Sequence, residues 1–270
     1  MTEIPPIAEN DSRPRHWNWK PKLRWFAAEI AVVVVGVLIA LALNAWWQAQ
    51  QAAAGEENYL VLISRDLGQM EANLDELLAF EKRQLQDGLT AYRFLSLPDR
   101  SSEQKEAISR SLTVLASRRT MNLTNATYED LISTGNLQLI RNLELRSQIV
   151  EFYEEAERDI EIHNKNNTFF VDDMFVTGVF GSGLFFQGLE TNLQIVNQAD
   201  SLLIRSALES GYIGEPDRFW SLPTTSAEWA QVKGLLRLRI GITAGADFRA
   251  EKLLEQVREL KEAVDAELER

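Results

Sequence analysis

Residues 25–47 read WFAAEIAVVVVGVLIALALNAWW. No charged or strongly polar side chain falls between positions 30 and 43. At about 1.5 Å per residue, a helix of this length spans about 35 Å, against a bilayer hydrocarbon core of about 30 Å. A core helix of a soluble protein is apolar along one stripe, whereas this stretch is apolar round its whole circumference. Trp17, Trp19 and Trp25 precede the run and Trp46 and Trp47 follow it. Tryptophan favours the headgroup layer, so the pattern predicts a transmembrane helix over 25–47.

The charge on either side sets an orientation. Residues 1–24 form a basic tail with Arg13, Arg15, Lys20, Lys22 and Arg24, and carry a net charge of +2. Residues 48–270 carry a net charge of −13. The excess of Lys and Arg before the span predicts a cytoplasmic N-terminus and an extracytoplasmic domain over 48–270. The small-x-small pair Ala40-Leu41-Ala42 lies inside the apolar run, which favours an uncleaved signal anchor over a cleaved signal peptide. With no second uncharged apolar run of comparable length, a single pass is expected.

The full chain has 270 residues, a net charge of −12, no cysteine and two histidines, His16 and His163. Its mean hydropathy of −0.21 conceals the apolar run. Without cysteine there are no disulfides, thiolate chemistry or cysteine-held metals. The acidic balance argues against a nucleic-acid partner. No P-loop, G-x-S-x-G, H-E-x-x-H or dinucleotide fingerprint occurs, so neither catalytic activity nor a cofactor or metal is expected.

Within the span, Glu29, Gly36, Ala40 and Asn44 are spaced by seven, four and four. That spacing places them on one helix face. A small-xxx-small face lets two helices approach closely, and a polar side chain beside it can hydrogen-bond across. The face reads as an interface, either between copies of the chain or with another membrane protein. The alternative has Glu29 reaching toward Lys22 or Arg24 and Asn44 toward the outer headgroups.

The run Glu29-Ile30, Val33, Gly36, Leu38-Ile39-Ala40-Leu41, Asn44 and Trp46 resembles the N-terminal signature of a family of uncharacterised bacterial single-pass membrane proteins. Its span follows the pattern E-I-x-x-V-x-x-G-x-L-I-A-L-x-x-N-x-W and precedes a helical extracytoplasmic domain. The segment Thr127-Tyr128-Glu129-Asp130-Leu131, with Ser133, Gly135 and Phe152-Tyr153 further on, is similar to a second stretch of that family. Ala42 departs from it, standing where a glutamine is common. The resemblance implies a bacterial inner-membrane protein and carries no activity with it.

Beyond the span the period is helical. Tyr59, Ile63, Leu67, Met70, Leu74, Leu77/Leu78, Leu85, Leu89 and Tyr92 recur at three and four, predicting a helix interrupted or bent near Gly55 and ending before Pro98. Ser101-Ser102-Glu103 starts a shorter helix to about Ser117. Thr127 with Asp130 reads as a capping-box-like start, with a break at Gly135-Asn136. Asn142 caps the next helix, whose stripe is Leu145, Ile149, Phe152, Ala156, Ile160, His163, Phe170 and Met174. His163 then sits at a core edge, held by a neighbouring Asn or Glu; the sharper alternative is a buried pH-sensitive group.

Residues 168–190 concentrate Phe169, Phe170, Phe175, Phe180, Phe185 and Phe186 among four glycines. They suit an apolar pocket, a lipid- or partner-docking segment, or a turn packed into the core. Asp172-Asp173 reads as a solvated pair, and Glu154/Glu155 and Glu251/Glu255 as solvated faces. Thr225-Ser226-Ala227-Glu228 opens the last helix as a capping box led by Thr225. Trp229, Leu236, Thr243, Ala250, Val257 and Val264 then repeat every seven, with Val232, Ala246, Leu253 and Leu260 on the alternate seam. Such a heptad serves a bundle or an oligomer seam. The expected fold is all-α: one transmembrane helix, then an antiparallel helical bundle. The expected role is an oligomeric interaction or scaffold component. The alternative is a periplasmic ligand-sensing module that signals through a partner.

Overall fold

The computed structural model describes residues 19–184 and 216–270, and among them every regular element is helical. The chain divides into two compact units, Met1–Gly55 and Glu56–Arg270. The first helix, α1 (Trp19–Leu95), continues through Gly55 without the expected interruption. In the first unit, every residue from 29 to 50 is exposed. Trp25, Trp46 and Trp47 are exposed as well. Among the described residues, α1 alone carries a run long and apolar enough to cross a membrane, and none of that run is buried within the protein.

In the second unit, α1 ends where Pro98 forces the chain out of helical space. Arg100 folds back there, its Nε donating to Phe94 O at 3.0 Å and an Nη to Leu95 O at 2.6 Å. A cation at a helix C-terminus meets both the unpaired carbonyls and the dipole. α2 (Ser102–Leu115) starts with a reciprocal box between Ser101 and Gln104. The chain continues along α1 to α3 (Ala126–Ser133), a 3-10 turn at Asn136–Leu139, and α4 (Leu143–Asn166). Asn142 caps α4 as expected, accepting from Glu144 N and Leu145 N. Gly135, at φ 73, supplies the left-handed residue that breaks the chain between α3 and the 3-10 turn.

A wide π-helical stretch, Asn167–Val176, and a short α5 (Thr177–Phe180) prolong α4. Further on come α6 (Pro216–Ser221) and α7 (Ala227–Leu268). Bonded pairs fix the directions. Ser64 with Asp265, Glu71 with Arg258 and Lys82 with Glu251 run α1 antiparallel to α7. Asn142 with Glu267 and Glu155 with Lys252 and Gln256 do the same for α4. Glu155, expected on a solvated face, is half-buried and links α4 to α7, whereas Glu251 stays exposed as expected while pairing with Lys82. Gln84 bonding to Val114 O, Arg119 to Glu76 and Thr127 to Asp66 run the α2–α3 stretch back along α1. The result is an up-down-up-down bundle.

Three local readings are corrected. Thr127 is not the cap of α3; Asn125 is. Thr127 is buried in the first turn, where its backbone N–H and hydroxyl both donate to Asp66 Oδ2, at 3.2 and 2.6 Å. Ser226, not Thr225, caps α7, accepting from Trp229 N at 3.3 Å. Past residue 166 the wide turns move the buried stripe to Asn167, Val171 and Phe175, leaving Met174 exposed and Phe170 half-buried. Spacing for an α-helix misplaces that face because a π-helix closes its bonds one residue later.

Two apolar clusters fill the bundle. One joins residues 60–78 of α1 to Ile149, Tyr153 and Ala156 of α4 and to Leu253, Val257 and Leu260 of α7. The other joins Ala91 and Leu95 to α2, Phe175, Val179, Phe219, Trp229 and Leu236.

Candidate functional site

Between these clusters the seam stays inside but turns polar. On α1 the core positions after Leu74 and Leu77 are Glu81, Gln84 and Gly88. Leu85 and Leu89, expected on that seam, are half-buried and 53% exposed. On α7, Arg239 and Thr243 follow Leu236. Both helices hold register through this level, because the flanking turns are anchored by leucine, tryptophan and valine. Gly88 permits a close approach, since a Cβ there would meet Ile240 Cγ1 at 2.8 Å.

Arg239 is 1% exposed. Its Nε donates to Leu115 O at 2.9 Å, one Nη to Thr243 Oγ1 at 2.5 Å and the other to Ser117 O at 3.1 Å. Leu115 and Ser117 lie at the C-terminal end of α2, so the guanidinium caps that end from within the core. Burial lowers the Arg239 pKa, with Glu81 acting the other way. A guanidinium keeps its proton even so.

Glu81 is also 1% exposed, and its Oε2 has no hydrogen-bond partner. Burial pushes its carboxyl up to about 7; the charges of Arg239 and Arg249 act against this rise and Asp247 adds to it. Gln84 donates to Val114 O at 3.0 Å, while its Oε1 is unpartnered. Asp247 Oδ1 and Arg249 Nε are unpartnered too. So many polar atoms without a protein partner at one level is unusual, because each costs roughly 1–3 kcal/mol when buried unmet.

His163 borders the same arginines. Its Nε2 lies 3.0 Å from Arg119 O, which also accepts from Asn167 Nδ2 at 2.9 Å. Asn164 bonds both the N–H and the carbonyl of Met121. Burial lowers the His163 pKa, the Arg119 carbonyl opposing and Arg249 and Arg239 adding to the fall. The ring lies fully inside the core and not at its edge, 3.0 Å from the Nδ2 of Asn167, a neighbouring asparagine as expected, and it also ties α4 to the connector after α2.

The residues singled out on the span, Glu29, Gly36, Ala40 and Asn44, all lie exposed on α1. Nothing stands within 4 Å of where a Gly36 Cβ would be. Of the aromatic segment, Phe175 is fully buried, Phe170 is half-buried and packs edge-on against Phe169, and Phe169 and Phe180 are exposed. Phe185 and Phe186 lie outside the described residues. A cleft of about 200 Å³ opens beside this segment, lined by Gly178, Gly181, Ser182, Arg218, Phe219 and Glu228 among others. None of the four described phenylalanines of the aromatic segment lines it. Asp172 is not part of a solvated pair: Arg118 grips it through two nitrogens at 2.7–2.8 Å, while Asp173 is exposed.

Apolar periodicity does not reveal Glu81, Gln84 and Arg239, which put charged or amide side chains at core positions. The signal was positional: Arg239 stands seven after Val232, and Glu81 seven after Leu74. The chain matches no protein-family model, no curated protein and no solved structure.

Proposed function

We propose that the protein is a single-pass component of the bacterial inner membrane. Its N-terminus is cytoplasmic, and its helical bundle acts outside the cytoplasm as an oligomeric interaction or scaffold module without catalysis of its own. The observation that carries this reading is the apolar run of α1, exposed at every residue from 29 to 50. So large an unburied apolar surface is unstable in water and stable in lipid. The family resemblance of the span supports the same assignment.

Assembly runs through the face bearing Gly36 and Ala40, with Asn44 bonding across it. Cross-linking of the full chain in native membranes tests this. The double variant Gly36→Ile, Asn44→Leu should lose most of the cross-linked species formed by the wild-type chain. An unchanged cross-linking ladder removes the span from the interface.

A further inference from the structure

The level of the bundle between its two apolar clusters holds a carboxyl with an unpartnered oxygen, a cation already committed elsewhere, and a second cation with a free donor. Among the described residues, the charged and titratable groups acting on Glu81 are Arg239, Asp247 and Arg249, all from α7. From α4, His163 faces the same two arginines, and burial disfavours its charged form. From the α2 side come backbone carbonyls, Val114 O to Gln84 and Leu115 O and Ser117 O to Arg239. Arg239 donates three of its five N–H groups to two of those carbonyls and to Thr243. Arg249 lies over Gly245, its guanidinium 3.5–4.0 Å from where a Cβ would be. Asp247 competes for any cation that turns inward.

We propose that Glu81 is a proton-operated latch: its neutral carboxyl keeps the polar layer closed, and release of its proton to solvent opens α1 from α7 at that level while both apolar clusters hold. A neutral carboxyl needs only weak partners. A carboxylate there is attracted by Arg239 and repelled by Asp247, and burial outweighs the attraction, so it is best served by hydration or by recruiting Arg249. Either route separates the helices over residues 81–88 and 239–247. The clusters on each side rest on leucine, valine and aromatic packing that does not titrate.

The direction with pH follows from proton linkage. Burial raises the Glu81 carboxyl from 4.5 to about 7, so the closed state holds the proton where the open state has lost it. The closed layer is favoured below about 4.5, weakens as pH rises toward about 7, and changes little above that. Between about pH 5.5 and about pH 8.5 the opening constant should rise about 30-fold.

Hydrogen exchange read by mass spectrometry on the full chain in lipid nanodiscs tests the latch, with rates corrected for base catalysis by an unstructured reference peptide. Wild-type amides over 81–90 and 239–249 should lose about 30-fold of their protection across that range, while those over 63–77 stay constant. Glu81→Gln should hold the layer protected at both ends. Asp247→Asn should keep the transition and move its midpoint down, and His163→Gln should keep it.

A wild-type layer that does not respond to pH overturns the proposal. So does a transition that persists in Glu81→Gln, one lost in Asp247→Asn or His163→Gln, or one shared equally by 63–77. Should Glu81→Gln not fold, the wild-type infrared spectrum decides: a protonated-carboxyl band that titrates near neutrality is required, and its absence overturns the latch.

Discussion

Residues 60–78 and residues 81–88 of α1 carry the same seven-residue seam toward α7, and they fill it with opposite chemistry. The first stretch presents Leu60, Ile63, Leu67, Met70 and Leu74, all at most 2% exposed. The second presents Glu81, Gln84 and Gly88 opposite Arg239 and Thr243. Apolar packing is non-directional and grows with area, so the first stretch gains wherever the leucines touch. The polar layer gains only where a donor meets an acceptor, and several of its atoms meet none. Backbone register is therefore held by the apolar tiers, while the layer between them sets which helix end and which carbonyls Arg239 must find.

The sharpest way to break this comparison is to truncate one residue on each side of it. Arg239→Ala strips the bonds to Leu115 O, Ser117 O and Thr243 Oγ1 and leaves the acceptors on Leu115 and Thr243 inside the core. It should cost about 3–5 kcal/mol. Leu67→Ala, at 0% exposure, should cost about 3 kcal/mol through lost transfer energy and a cavity. Guanidinium unfolding of the full chain in detergent micelles, followed by circular dichroism, measures both. The kinds of loss differ: Arg239→Met should recover little of the Arg239→Ala deficit, whereas Leu67→Met should recover most of that at Leu67. Equal recovery at the two sites would mean that Arg239 acts mainly by filling space.

The apolar half of this comparison could be read directly from the chain. Tyr59, Ile63, Leu67, Met70 and Leu74 announce a helix face by period alone, and the heptad of α7 does so from Trp229 to Val264. The all-α bundle follows from such runs. The polar half is hidden because apolar period carries no signal at the charged and amide side chains of 81, 84 and 239, and because Leu85 and Leu89 stand one position beside the true core positions Gln84 and Gly88. Residues 167–176 defeat apolar period for another reason. The turns widen there, and no local residue type announces a π-helix. Cap choice failed at Thr127 and Thr225 because serine, threonine and asparagine crowd the first turns of α3 and α7, and tertiary partners such as Asp66 decide among them.

A smaller effect tests how firmly the second apolar cluster is anchored. Ser226 accepts from the backbone N–H of Trp229, and the Trp229 indole donates to Leu222 O at 3.2 Å while Arg100 lies 4.3 Å over the ring. Ser226→Ala should lower stability by about 1 kcal/mol, the usual loss of a helix cap. Thr225→Ala should stay within about 0.5 kcal/mol, as for surface positions without a structural bond. The same unfolding curves report both, and a larger loss at Thr225 would return the cap to that residue.

A change of the opposite sign is expected in the polar layer itself. Gln84→Met forfeits one bond, to Val114 O, worth about 1 kcal/mol. It also removes a buried carbonyl oxygen with no partner, whose burial costs about 1–3 kcal/mol. The volume is nearly kept, so little strain enters. The net effect should fall between neutral and about 2 kcal/mol of stabilisation, measured below about pH 6 so that Glu81 stays largely neutral. Removing a polar group from this layer would then help, where removing Arg239 harms. A loss beyond about 2 kcal/mol would show instead that Gln84 Oε1 has a partner in solution, such as a buried water bridging to Glu81, and that the closed layer is a hydrated network.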